Sequence, residues 1–68
     1  MQFLAQYSTT NGDMWVSEGE FATEGKAKHA LRAYRKAGHL CRVIRFQEGC
    51  PTDSVSHLIT QGLAEVCD

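Results

Sequence analysis

Glu24-Gly25-Lys26-Ala27-Lys28-His29-Ala30-Leu31-Arg32-Ala33-Tyr34-Arg35-Lys36-Ala37-Gly38, followed by His39-Leu40-Cys41-Arg42-Val43-Ile44-Arg45-Phe46, is the stretch that decides the fold. Ala27, Ala30, Leu31, Tyr34 and Ala37 recur at helical spacing and form one apolar stripe. Thr23 suits an N-cap, Glu24 suits the positive end of the helix dipole, and Gly38 suits the left-handed cap that ends a helix. The spacing therefore predicts a helix over about 24–37. Lys28, Arg32, Arg35 and Lys36 fall on its opposite face. The return from His39 to Phe46 is rich in β-formers and reads as a strand; Arg42 and Arg45 have opposite parities, so one should lie over each face of the sheet, or one snorkels at an edge.

The same stretch concentrates the charge. All 7 Lys and Arg residues lie between Glu24 and Phe46, and no acid occurs between Gly25 and Gln47. The 8 acids flank it, from Asp13 to Glu24 and from Glu48 to Asp68, so a net charge of −1 hides a basic middle between acidic ends. A merely solvated surface does not require such segregation, which suits a surface that meets an acidic partner.

Towards the N-terminus, Phe3, Ala5 and Tyr7 alternate with Leu4, Gln6 and Ser8, the period of a strand. On this reading Gln6 and Ser8 belong to a solvated outer face. Asn11-Gly12 is a strong hairpin signal, because both residues tolerate positive φ. A second strand is expected from about Met14 to Phe21, with a bulge or bend at Gly19. Trp15 and Phe21 share one parity and Met14 and Val16 the other, which leaves its core face open. Towards the C-terminus, Glu48-Gly49-Cys50-Pro51 reads as a turn, and Thr52 or Asp53 would cap a second helix over about 53–66. Val55, Leu58, Ile59, Leu63 and Val66 would form its stripe. Gly62 on that stripe suggests close approach to a neighbouring backbone.

The order is β-β-α-β-α. Pairing the third strand against the first gives an all-antiparallel sheet, favoured over a mixed one because antiparallel pairs are commoner. The expected architecture is α+β: a single 1–68 domain with a three-stranded antiparallel sheet in the order 2-1-3 and two helices on one face. Leu31, Tyr34, Leu58, Ile59 and Leu63 are the expected core between helices and sheet. A chain of 68 residues, 43% hydrophobic and 22% charged, is globular but near the lower size limit for a fold held by its core alone. No apolar run reaches the length of a membrane span, no signal peptide is visible, and Met1 leading directly into a strand reads as a chain complete as written. The 3 cysteines, Cys41, Cys50 and Cys67, lack CxxC spacing and fit a reducing cytoplasm, with a Cys50–Cys67 bridge left open.

Chemistry finds little footing. His29, His39, His57 and the cysteines lie in separate elements, without the pairing of a metal clamp, so neither a metal nor another cofactor is expected. Cys50 and His57 form a conceivable nucleophile–base pair, but short chains with several Cys and His offer such pairs by chance. Glu18 and Glu20 share one strand face, and no Gly-rich phosphate loop is present. Catalysis is not expected. The basic residues remain: Lys28, Arg32, Arg35 and Lys36, joined by Arg42, could meet an acidic protein surface or neutralise several phosphates.

A hairpin, then Phe21-Ala22-Thr23-Glu24-Gly25-Lys26-Ala27 opening an Ala-rich helix, then Arg42-Val43-Ile44-Arg45-Phe46 as return strand, resembles small phage-encoded inhibitors of host machinery. These include inhibitors of bacterial RNA polymerase and of CRISPR surveillance complexes. The resemblance covers about residues 1–47, is architectural, and carries over no functional residue. Many such inhibitors are acidic DNA mimics, whereas this chain shows a basic face. It implies blocking a protein or occupying a nucleic-acid channel without catalysis. The leading expectation is a cytoplasmic, non-enzymatic binding module that docks its basic helix on an acidic protein surface or nucleoprotein complex. Direct binding of RNA or DNA through the same residues is the alternative, and a small Cys50/His57 enzyme a third.

Overall fold

A computed structural model describes residues 1–47, 49 and 55–67. Its elements are β1 (Gln2–Ser8), β2 (Val16–Phe21), α1 (Glu24–Ala30), α2 (Arg32–Lys36), β3 (Leu40–Phe46), α3 (Val55–Thr60) and β4 (Ala64–Val66). The strands form one antiparallel sheet in the order β2-β1-β3-β4. The α+β class and the 2-1-3 core of the sheet are as expected, and β4 adds a fourth strand beside β3.

Two local events account for the extra elements. The expected long helix is interrupted at Leu31 (φ −90°, ψ −3°), whose N–H reaches back only to the Lys28 carbonyl, at 3.1 Å. This tighter turn leaves Leu31 fully buried and separates α1 from α2. The expected second helix, in turn, ends early. Gly62 adopts φ +77°, with Leu63 N–H bonded to the Leu58 carbonyl and Gly62 N–H to that of Ile59. That pair of bonds is a Schellman stop, and the chain turns back into β4. Gly62 is thus required for its backbone conformation; a side chain there would meet nothing within 4 Å, so the expected close approach is not its role. Leu63, expected in the core, is 53% exposed as a result.

Both central strands bury consecutive residues, Leu4 and Ala5 in β1 and Val43 and Ile44 in β3. Since alternate side chains point to opposite faces, the sheet is covered on both sides. Ala5 and Val43 pack with Ala27 and Leu31 of the first helical pair, and half-buried Phe3, Tyr7, Phe21 and Tyr34 join them. Leu4, Ile44 and Phe46 pack with Val55 and Leu58 of α3, with Ala64 beside them and Ile59 at the margin. The expectation of both helices on one face is therefore corrected. The sheet lies between α1–α2 and α3.

Gln6 and Ser8 also depart from expectation, being only 6% and 2% exposed. Ser8 Oγ accepts the Gly12 N–H at 2.8 Å and the Thr10 N–H at 3.3 Å, drawing the β1–β2 loop over its own strand. Asn11 (φ 60°) and Gly12 (φ 102°) supply the left-handed turn, as their identity suggested. The β1–β2 register shifts between Ala5 and Gln6, which pair with Gly19 and Ser17 and leave Glu18 as the bulged residue. This bulge resolves the ambiguity of the second strand. It moves Phe21 to the α1 face and leaves Trp15 on the other, although their spacing gives them one parity.

Candidate functional site

Thr23 Oγ1 caps α1 by accepting the Lys26 N–H at 3.2 Å, which fixes the phase of the helix. Gly38 (φ 89°) ends α2 in a second Schellman stop: His39 N–H bonds to the Tyr34 carbonyl and Gly38 N–H to that of Arg35. Between these caps Ala27 and Leu31 face the sheet, and Lys28, Arg32, Arg35 and Lys36 are exposed on the outer side. The structure thus brings together four of the residues expected to bind. It does not bring Arg42.

Arg42 projects from the opposite face of the sheet, because its place in β3 pairs with Gln6. Its guanidinium lies 4.1 Å from the centre of the Trp15 ring, and its Nε donates to Gln6 Oε1 at 2.8 Å. Gln6 Nε2 in turn donates to Ser17 Oγ at 3.2 Å. Burial lowers the Arg42 pKa from its ordinary value, though a guanidinium so placed remains a cation. These contacts tie Trp15 of the β1–β2 loop to Gln6 of β1.

The exposed cations are not equivalent. Lys28 Nζ pairs with Glu24 Oε2 at 2.9 Å, and Arg35 has a contact of its own. The Lys28 bond, followed by a contact with Cys67, holds the Glu24 carboxyl below its usual range. Lys26, Arg32 and Lys36 have neither an ion pair nor a side-chain hydrogen bond among the described residues. They border two adjoining depressions. One, of about 360 Å³, is lined by His29, Ala30, Arg32, Ala33 and Lys36. The other, of about 330 Å³, is lined by Phe21, Gly25, Lys26, His29 and Ala30. Among the described residues no acid lines either one, and they share His29 and Ala30.

Sequence reasoning did not single out Lys26, His29, Ala30 and Phe21, which line these depressions. A signal existed: Lys26, His29, Ala30, Ala33 and Lys36 follow one another at steps of three, one, three and three along one flank of the helix. Phe21 reaches this flank only through the β2 bulge, which spacing alone does not reveal.

An aromatic cluster secures the base of this surface. Tyr7 of β1 stacks on Tyr34 of α2, with His39 tilted against both at 6.3 and 6.4 Å. Tyr34 Oη donates to Glu18 Oε2 at 2.9 Å, and beside that carboxylate its pKa is pushed up to about 12. The bulged Glu18 and the helix thus fasten one another. At the other end of the sheet, Arg45 pairs with Glu65 across β3 and β4.

Cys67 Sγ donates to the Val43 carbonyl at 3.4 Å, and burial and then Glu24 raise its pKa above the ordinary thiol value. Cys41 and Cys67 are both free thiols. His57 is exposed on α3, while Cys50, the other half of the conceivable catalytic pair, lies outside the described residues, as does any bridge from it. Among the described residues no three Cys, His, Asp or Glu side chains gather as metal ligands, and no helix is long and apolar enough to cross a membrane.

No family model matches the chain, and no curated protein or solved structure matches it.

Proposed function

We propose that this chain is a small non-enzymatic binding module that docks the basic face of α1–α2 on an acidic surface of a protein partner. One observation carries the reading. Among the described residues, Lys26, Arg32 and Lys36 stand exposed without an ion pair or side-chain hydrogen bond, around depressions lined by no acid. Charge so arranged steers encounter with an acidic surface and fixes its orientation, while buried apolar contacts supply most of the affinity. The free thiols of Cys41 and Cys67 suit a reducing, cytoplasmic setting. The architectural resemblance to phage-encoded inhibitors suggests the kind of partner: a host complex that acts on nucleic acid, inhibited by occupancy.

The test is retention of bacterial lysate proteins by the immobilised chain, with and without nuclease, compared with Arg32→Glu/Lys36→Glu. A protein retained through nuclease treatment and lost with the double reversal is the expected result. Retention that disappears with nuclease would instead make nucleic acid the direct partner.

A further inference from the structure

The notch bounded by Phe21, Gly25, Lys26, His29 and Ala30 is more specific than the charge around it. Phe21 is half-buried, and Gly25 and Ala30 lend no bulk, so a space of about 330 Å³ remains between the end of β2 and the flank of α1. A Cβ at Gly25 would meet nothing within 4 Å, so the space is open on this side. An apolar recess beside cations with no ion pair among the described residues is the pattern of an anchored contact: one large apolar side chain fills the recess, and flanking acids meet the cations at its rim. A sugar–phosphate backbone would satisfy the cations but has no apolar group for the recess.

We propose that the partner presents an acidic segment carrying one large aromatic or aliphatic side chain, seated between Phe21, Gly25 and Ala30, with its carboxylates over Lys26, Arg32 and Lys36. This rests on the docking reading above and names the chemistry of the partner. Among the described residues the notch is lined by Phe21, Gly25, Ala30, the His29 imidazole and Lys26, with no acid, which selects against a basic segment. Lys26 contributes twice, since its aliphatic stem can wall the recess while its ammonium stays in water.

The experiment is selection of a displayed random peptide library against the wild-type chain. The expected enriched peptides carry an aromatic or long aliphatic residue among Asp and Glu, and replacing that residue by Ala weakens binding about tenfold or more. Gly25→Leu and Ala30→Leu, each filling the notch without changing charge, should lose binding by a similar factor while Arg32→Glu/Lys36→Glu loses it as well. Two filling variants are used so that misfolding of one, seen by circular dichroism, does not decide the outcome. Enrichment of acidic peptides without an apolar position, or unchanged binding to both filling variants, overturns the notch and leaves the basic face standing. Enrichment of nothing, or of peptides indifferent to the double reversal, overturns the segment chemistry, and in the second case the basic face with it. Displacement of the peptides by a single-stranded oligothymidylate at equal concentration would favour nucleic acid and overturn the proposal.

Discussion

Tyr7 and Tyr34 stack face to face, with ring centroids 3.9 Å apart and planes 7° from parallel. The contact ties α2 to β1, the strand at the heart of the sheet, and the Tyr34 hydroxyl extends the tie to Glu18 of β2. The basic face therefore rides on a helix pair fixed to two strands. Such a fixed platform limits the ordering cost that a docking surface incurs on binding.

The Tyr34–Glu18 bond predicts a specific alkaline behaviour. In the folded chain Tyr34 ionises at about 12 rather than at its ordinary value of 10.0, so the folded state holds that proton more tightly. Its contribution to stability is whole below the unfolded pKa and is lost as pH rises through the folded one. An ultraviolet absorbance titration should show a tyrosine ionising near pH 12, absent from Tyr34→Phe. Tyr34→Phe keeps the ring stack and should lose stability near neutral pH, with its deficit relative to wild type shrinking as pH rises through that window. A deficit that grows instead would contradict the assignment.

Leu31 closes one side of the core with no exposed surface. Leu31→Ala should cost roughly 2–5 kcal/mol, the range for large-to-small core changes. Leu4, 2% exposed, belongs to the cluster on the other face, and Leu4→Ala should cost a similar amount independently of Leu31. Urea unfolding of the two single variants would measure both. A near-neutral Leu4→Ala would mean that α3 does not cover the second face.

The thiols report the packing by their rates. Cys41 and Cys67 are half-buried, and Cys67 has a raised pKa, so both should alkylate slowly at neutral pH. Burial is the first cause for Cys67 and Glu24 the second, so Glu24→Gln should lower the pKa and speed its labelling. Peptide mass spectrometry after brief alkylation resolves each cysteine. Unchanged labelling of Cys67 in Glu24→Gln would sever that link.

Arg42 should prove structural. Arg42→Met removes the donor to Gln6 and the cation over Trp15, leaving a largely buried amide oxygen unpaired at a cost of about 1–3 kcal/mol. Trp15 is the only tryptophan, so its fluorescence should change with the substitution. Partner binding by the folded variant should stay at the wild-type level. A selective loss of binding would return Arg42 to the docking surface.

Much of this arrangement was legible in the chain. The caps Thr23 and Gly38, the Asn11-Gly12 turn and the bulge, expected at Gly19 and found beside it at Glu18, are local chemistry, and local chemistry is written residue by residue. The basic helix face was legible because charge and helical phase coincide. Covering of both sheet faces was present in the pairs Leu4-Ala5 and Val43-Ile44, yet strict alternation elsewhere in β1 masked it. Leu63 and Val66 continue an apolar helical stripe, so periodicity overrode the stop at Gly62, whose backbone conformation decides the matter. Sign alone places Arg42 with the helix cations. Its removal to the other face depends on strand pairing, a non-local fact.

Docking through the basic face is tested most directly by association kinetics between the isolated partner and either wild type or Arg32→Glu/Lys36→Glu. Both substitutions keep good helix formers at exposed positions, so melting temperature should hardly change. The expected result is a sharp fall in association rate for the variant and a wild-type rate that declines with added salt. An unchanged rate at low salt in a folded variant would contradict the account and reduce the basic helix to a solvated face.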